Sequence, residues 1–236
     1  MVARVGTFFP ERINMRVPAM TYDGALGMNP KGPHYIDMQD PGVPLVAAST
    51  TAIMATQTMA ADGAYFAASA FVGGVLPMYV PNKGRWGRTL QFVASGANTG
   101  VLEIVGRDYL NQRVVKRVTL NGNTPVTASG AALSALCIIE SVQVISGSGA
   151  VNISIGTQNV FGLPYKATVL NASLMDGATV TAHTLTAAVT TDPATNTTGD
   201  PRGTISFNSA PNGSRLYGAL LMFDDTNLHG VAHYGG

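Results

Sequence analysis

From residue 75 onward, apolar and polar positions trade places in short runs, as in Val142-Gln143-Val144-Ile145 and Val151-Asn152-Ile153-Ser154-Ile155. A period of two sends successive side chains to opposite sides of an extended backbone, the mark of a half-buried strand. Runs of this kind fall at 75–80, 89–94, 101–105, 112–120, 135–145, 150–155, 178–189, 202–207 and 216–223. Between them lie turn clusters at 81–84, 95–98, 121–123, 146–149 and 211–213, several carrying Asn-Gly or Ser-Gly pairs. Such pairs supply the positive φ that tight hairpins need. Many short strands at this spacing predict an all-β fold, a β-sandwich or jelly-roll-like domain. One stretch departs from the pattern: 50–61, rich in Ala, Thr and Met, predicts a short helix. The interval 192–200, with PATNTTG between two aspartates, reads as an exposed loop.

The first 60 residues hold six of the 13 prolines and seven of the 10 methionines, and neither period survives there. Proline removes a donor and restricts its predecessor, which disfavours helix interiors and central strands. The segment is nevertheless too apolar for a linker. A long, extended, proline-rich N-terminal arm docked on a neighbouring surface accounts for both facts, with Phe8, Phe9, Met15, Met20, Tyr22 and Tyr35 as its contact residues. The expected organisation is an arm over 1–60, a β-sandwich core over 61–165, and a second β portion over 166–236. That last portion either completes the same domain or stands beside it.

Charge sharpens this picture. Only 27 of 236 residues are formally charged, 14 basic and 13 acidic, about 11% against the roughly 25% of an ordinary soluble domain. On the roughly 10,000 Å² that a monomer of this mass exposes, such scarcity leaves wide uncharged patches, and these mark contacts with other molecules. A net charge of +1 gives no field for nucleic acid, whose binding draws on clustered cations. Lys83, Arg85, Arg88, Arg107, Arg113, Lys116 and Arg117 read as solvated strand and turn positions. The N-terminus shows no apolar core after a basic start, so no secretory signal is expected. The apolar stretch 64–82 is broken by Gly73-Gly74 and Pro77, short of a membrane span. Cys137, the single cysteine, lies among Leu136, Ile138 and Ile139 and reads as a small buried hydrophobe.

Three stretches carry a resemblance: Val118-Thr119-Leu120-Asn121-Gly122-Asn123-Thr124-Pro125-Val126-Thr127, then Ile139-Glu140-Ser141-Val142-Gln143-Val144, then 147–157 with Phe161-Gly162-Leu163-Pro164-Tyr165. Together they resemble virion proteins of tailed bacteriophages, in particular head decoration (cement) proteins and short-tail or fibre components. The resemblance spans about 50 of 236 residues and consists of strand-and-turn chemistry. It implies a homotrimer clamped between major capsid subunits on the virion surface, assembled in the host cytoplasm. The long arm equally suits a tail or collar component.

Motifs that would carry chemistry are thin. His229 and His233, four apart, would share a helix face and hold zinc, but Gly230, Gly235 and Gly236 argue against a helix. They read better as surface or interface histidines, and no metal or other cofactor is expected. No nucleophile elbow or phosphate-cradling loop occurs, and Glu103, Asp108 and Glu140 form no recognisable glycosidase pair. Tyr79, Trp86 and Phe92 with Arg85 and Arg88 admit a sugar- or base-stacking platform. They fit better a Trp86 that plugs the end of a sandwich or anchors an interface. The chain thus reads as a non-enzymatic capsid decoration subunit that binds itself and other virion proteins, without nucleic acid or membrane. A tail, collar or fibre component, or a glycan- or receptor-binding module, are the alternatives.

Overall fold

β-branched and aromatic residues, well suited to a pleated, half-buried surface, build strands throughout the described residues. The computed structural model describes residues 21–23, 27–29, 33–41, 43–59, 61–96, 99–121, 126, 134–147, 151–180, 183–224 and 227–236. Fifteen strands occur among them. A hairpin joins β1 (Thr21–Asp23) and β2 (Gly27–Asn29). A five-stranded sheet runs β13 (Thr184–Thr186), β14 (Thr204–Ser206), β10 (Asn152–Gly162), β4 (Ser49–Thr58), with β6 (Arg88–Ala94) also on β10. A four-stranded sheet orders β5 (Met78–Tyr79), β9 (Ile138–Ser146), β7 (Val101–Arg107), β8 (Arg113–Thr119). Another orders β12 (Ala178–Val180), β11 (Ala167–Met175), β15 (Tyr217–Phe223), β3 (His34–Asp37). Every pairing is antiparallel. The fold is all-β and sandwich-like, as the periodicity predicts.

The 11-residue strand β10 belongs to two cores at once, and this explains how the sheets stack. Its first half sends Ile153 and Ile155 into a core shared with Leu102, Ile104, Val142 and Val144 of the β7/β9 sheet. Its second half sends Phe161 into another core with Tyr217, Ala219 and Leu221 of β15. Buried on both faces, β10 loses the alternation of a one-sided strand. Gly156 permits the pairing with β4, because a Cβ there would collide with the Ser49 carbonyl.

Two expectations are corrected. The helix expected over 50–61 is strand β4, because register shifts on β10 turn Ile53 and Met54 inward as consecutive residues and hide the period of two. The interval 192–200 is no exposed loop throughout: Ala194 and Asp200 are buried, and the loop docks on the edge of β8. There the Arg117 amide donates to the Asn196 carbonyl and the Val115 amide to that of Tyr234. The open edge of the sheet is thus covered by the loop and the C-terminal residues, one way folds blunt a strand edge.

The expected arm and domain boundaries meet this architecture as follows. Phe8, Phe9, Met15 and Met20 lie outside the described residues, and Tyr22 sits in β1 opposite Met28. Residues 34–37 and 49–58, within the span read as an arm, are the strands β3 and β4. The five-stranded sheet draws strands from all three expected spans.

The basic residues read as solvated are also corrected, because two of them are interior. Arg88 is 0% exposed. Its guanidinium donates to the carbonyls of Gln158, Asn82 and Val46 and to Asn159 Oδ1, over the Phe161 ring. Lys116 is equally sunk, and its ammonium donates to the carbonyls of Thr195 (3.2 Å), Thr198 (2.9 Å) and Gly199 (3.3 Å). Burial lowers the Lys116 pKa to about 8, with Asp200 opposing it. The unfolded chain therefore keeps this proton above pH 8 while the fold has given it up, so stability rises with pH there. The expected result is a gain of up to about 1 kcal/mol between pH 8 and 9, read by urea denaturation and absent in Lys116→Met. The window closes above pH 9, where burial holds the Cys137 thiol protonated up to about 11 and favours the opposite slope.

Candidate interaction face and cleft

Strand register assigns each residue of the β12-β11-β15-β3 sheet to one of its faces. Tyr217, Ala219, Leu221 and Phe223 point into the core, so Gly218, Leu220 and Met222 point away from it. Partners across the ladder share a face. Tyr35 lies opposite Leu220 and Asp37 opposite Gly218 on β3; Leu174, Ala172 and Val169 lie opposite Gly218, Leu220 and Met222 on β11. The outward face thus presents Val169, Ala172, Leu174, Leu220, Met222 and Tyr35, with Asp37 on β3 and Thr179 on β12 as its polar members. A sheet with one solvated face ordinarily carries polar side chains there. Val169 is 47% exposed and the remaining aliphatic members are partly exposed. Tyr35 lies against Gly218, where a Cβ would come within 2.7 Å of its ring. Burial, and then a hydrogen bond and the charge of Asp37, hold its phenol well above the usual range.

A second stretch of uncharged surface follows β4. Residues 64–82 contain no charged side chain, and Tyr65, Val72, Val75 and Tyr79 are all largely exposed. The chain here runs beside β9, with the Phe66 amide donating to the Val142 carbonyl and the Val144 amide to that of Ala64.

Where this stretch ends, a cleft of about 220 Å³ opens, lined by Tyr79, Lys83, Arg85, Tyr109, Asn111 and Cys137 among others. Its walls come from β5, the turn after it, the β7–β8 turn and the start of β9. A buried ionic network fixes them. Arg202 Nη2 donates to Asp108 Oδ2 at 2.8 Å and lies 3.3 Å from His233 Nε2, while Asp200 Oδ1 is 3.9 Å from Arg202 Nε. Asp108 accepts the Gln112 amide at 2.8 Å and so shapes the β7–β8 turn. Asp200 accepts the amides of Ala135 and Arg202. Burial works against the charge of Arg202, yet Asp200 and Asp108 outweigh it and raise its pKa. Burial likewise opposes ionisation of Asp108, but His233, Arg202 and the Gln112 amide hold its pKa below the usual carboxylate range. The Arg202 guanidinium lies 4.8 Å from the Tyr109 ring centre, and the Tyr109 hydroxyl donates to the Pro164 carbonyl.

The aromatic cluster read from sequence is divided by the fold. Phe92 and Arg88 are interior. Trp86 donates its indole N–H to the Asp37 carbonyl at 3.1 Å and meets Tyr109 edge-on at 5.3 Å, a bracket between β3 and the cleft. Tyr79 is exposed and Arg85 half-buried. The three acidic candidates are each engaged with a cation: Glu103 with Arg117, Glu140 with Arg107, Asp108 with Arg202. His229 packs on Tyr165 while His233 joins Asp108, so the pair is split. Among the described residues no three His, Cys, Asp or Glu side chains are grouped to hold a metal. Also among them, no helix is long and apolar enough to cross a membrane. Sequence reasoning missed the Asp108–Arg202–Asp200 network, whose members lie up to 94 residues apart.

No protein-family model matches the chain, nor does any curated protein or solved structure.

Proposed function

We propose that this chain is a structural subunit of a virus particle, a decoration protein that self-associates as a homotrimer and seats between shell subunits on the virion surface. The observation that carries the reading is the outward face of the β12-β11-β15-β3 sheet, where aliphatic side chains outnumber polar ones. Burying such a face contributes roughly 25 cal/mol per Å² of apolar surface, offset by the entropy of docking. A scarcity of charge suits that role, since burial at a contact penalises unpaired ions. The strand-and-turn likeness to phage head proteins supports the same reading. In this function the chain holds neighbours together, and its chemistry is contact rather than turnover. Tail, collar or fibre placement is the second form of the proposal, favoured by the same apolar face.

The test is addition of purified protein to preformed shells that lack it, followed by sedimentation and quantification. Saturable attachment with a copy number close to that of the shell subunit is the expected result. A small number confined to one vertex moves the assignment to the connector. No attachment to heads or tails overturns the proposal.

A further inference from the structure

We infer that the cleft beside Tyr79 is a binding site for a single acidic sugar residue, a hexose ring bearing a carboxylate. The inference is independent of the apolar sheet face, and goes beyond the assembly role. Three groups of different chemistry converge on the cleft, and none is consumed by the fold. Tyr79 is 71% exposed, and among the described residues its phenol makes no hydrogen bond or ring contact. Arg85 lies with its guanidinium 5.3 Å from the Trp86 ring centre and has no carboxylate partner among the described residues. The side-chain amide of Asn111 is likewise unengaged among those residues, on a turn residue held at φ +63° with its amide donating to the Asp108 carbonyl.

Each of these groups matches one part of such a ligand. The C–H face of a sugar ring packs on an aromatic side chain, the hydroxyls exchange hydrogen bonds with an amide, and the carboxylate pairs with a guanidinium. Lys83, on the same wall, adds a second cation, shared with Asp40 at 3.7 Å. The volume of about 220 Å³ falls below the roughly 300–1,000 Å³ of drug- and cofactor-sized pockets, a size suited to one ring. Asp108 on the floor is paired with Arg202 at 2.8 Å, and the two cations Arg85 and Lys83 stand on the wall beside it. The walls are set before any ligand arrives: the Arg85 amide donates to the Met38 carbonyl at 3.0 Å, and Tyr109 is fixed from both of its ends. A preformed site avoids the ordering cost that weakens most surface contacts.

Trp86 is the only tryptophan and touches both Arg85 and Tyr109, so its fluorescence reports on the cleft. The experiment titrates the full chain with sodium glucuronate and sodium galacturonate, and in parallel with glucose and with acetate. Expected is a saturable change with one of the acidic sugars, at least about tenfold tighter than with glucose or acetate. Arg85→Gln and Tyr79→Ala are each expected to weaken it about tenfold. Tyr79 is exposed and Arg85 half-buried with no carboxylate partner among the described residues, so unchanged thermal unfolding of the two variants is the control. Equal response to acetate, retention of binding in Arg85→Gln, or no saturable change with either sugar overturns the inference. None of these readouts involves a particle, so failure here is separate from failure to attach to shells.

Discussion

Replacing Arg202 with alanine should lower the unfolding free energy by about 3–5 kcal/mol, the range for leaving a buried charge without its partner. At the size of this chain that corresponds to a fall in Tm of about 6–20 °C. The size follows from what the guanidinium separates. The side chains of Asp108 and Asp200 are 0% and 1% exposed, and alanine would leave both carboxylates in the interior without a paired guanidinium, facing backbone amides, His233 and, for Asp200, the Lys116 ammonium. The consequence extends along the chain, because Asp200 grips the Ala135 amide and Asp108 grips the β7–β8 turn. Arg117→Ala is the internal control. Its pair with Glu103 is close, at 2.8 Å, but the arginine is 45% exposed, and such surface pairs contribute at most about 1 kcal/mol. Urea denaturation of the two variants side by side decides the matter; equal losses would mean that water reaches the Asp108–Arg202 pair. Asp108→Asn tests the same network from its other end, and the double variant with Arg202→Ala should lose less than the two single losses added.

The parts of this architecture that sequence made legible are those where one strand face is wet. β7 alternates between part-exposed and buried positions through all seven residues; its start follows from the pattern Val101-Leu102-Glu103-Ile104-Val105, and the strand continues two residues further, to Arg107. β11 is absent from the expected strands because register shifts near Val169 and Leu170 interrupt its alternation. The sequence of β4 reads as a helix for a related reason, Ile53 and Met54 turning inward together. The loop at 192–200 shows the limit of composition as a guide. Its Pro, Asn, Thr and Gly look solvated, yet the carbonyls of Thr195, Thr198 and Gly199 surround an ammonium that sits in a strand some 80 residues earlier. A lysine directly after two valines, as in Val114-Val115-Lys116, is the only local sign that such acceptors must come from elsewhere. The cleft was half legible. Tyr79, Trp86 and Arg85 stand close in sequence, but Tyr109 and Asn111 reach the site through the β7–β8 turn, which no local pattern links to them.

The outward sheet face carries the heaviest consequence for function. Leu220→Glu combined with Met222→Glu should leave the fold within about 1 kcal/mol of wild type, because both side chains point away from the core and surface changes of this kind are mild. The same pair should weaken self-association and attachment to shells by at least about a hundredfold. That figure follows from two apolar anchors, each contributing about 1.5 kcal/mol or more when covered, and is increased by the cost of burying two carboxylates with no cation opposite. A hundredfold loss corresponds to about 2.7 kcal/mol, below the sum of those effects. Position matters in this argument. Leu220 lies in the centre of the face, between Tyr35 on β3 and Ala172 on β11, where removal of an anchor is felt most. Thr56→Glu, on an exposed position of β4, adds a like charge elsewhere and should change neither property. Sedimentation velocity at several concentrations reads the self-association, and co-sedimentation with shells reads the attachment. Full retention of both by the double variant would remove the face from the interface, and the virion role would lose its structural support.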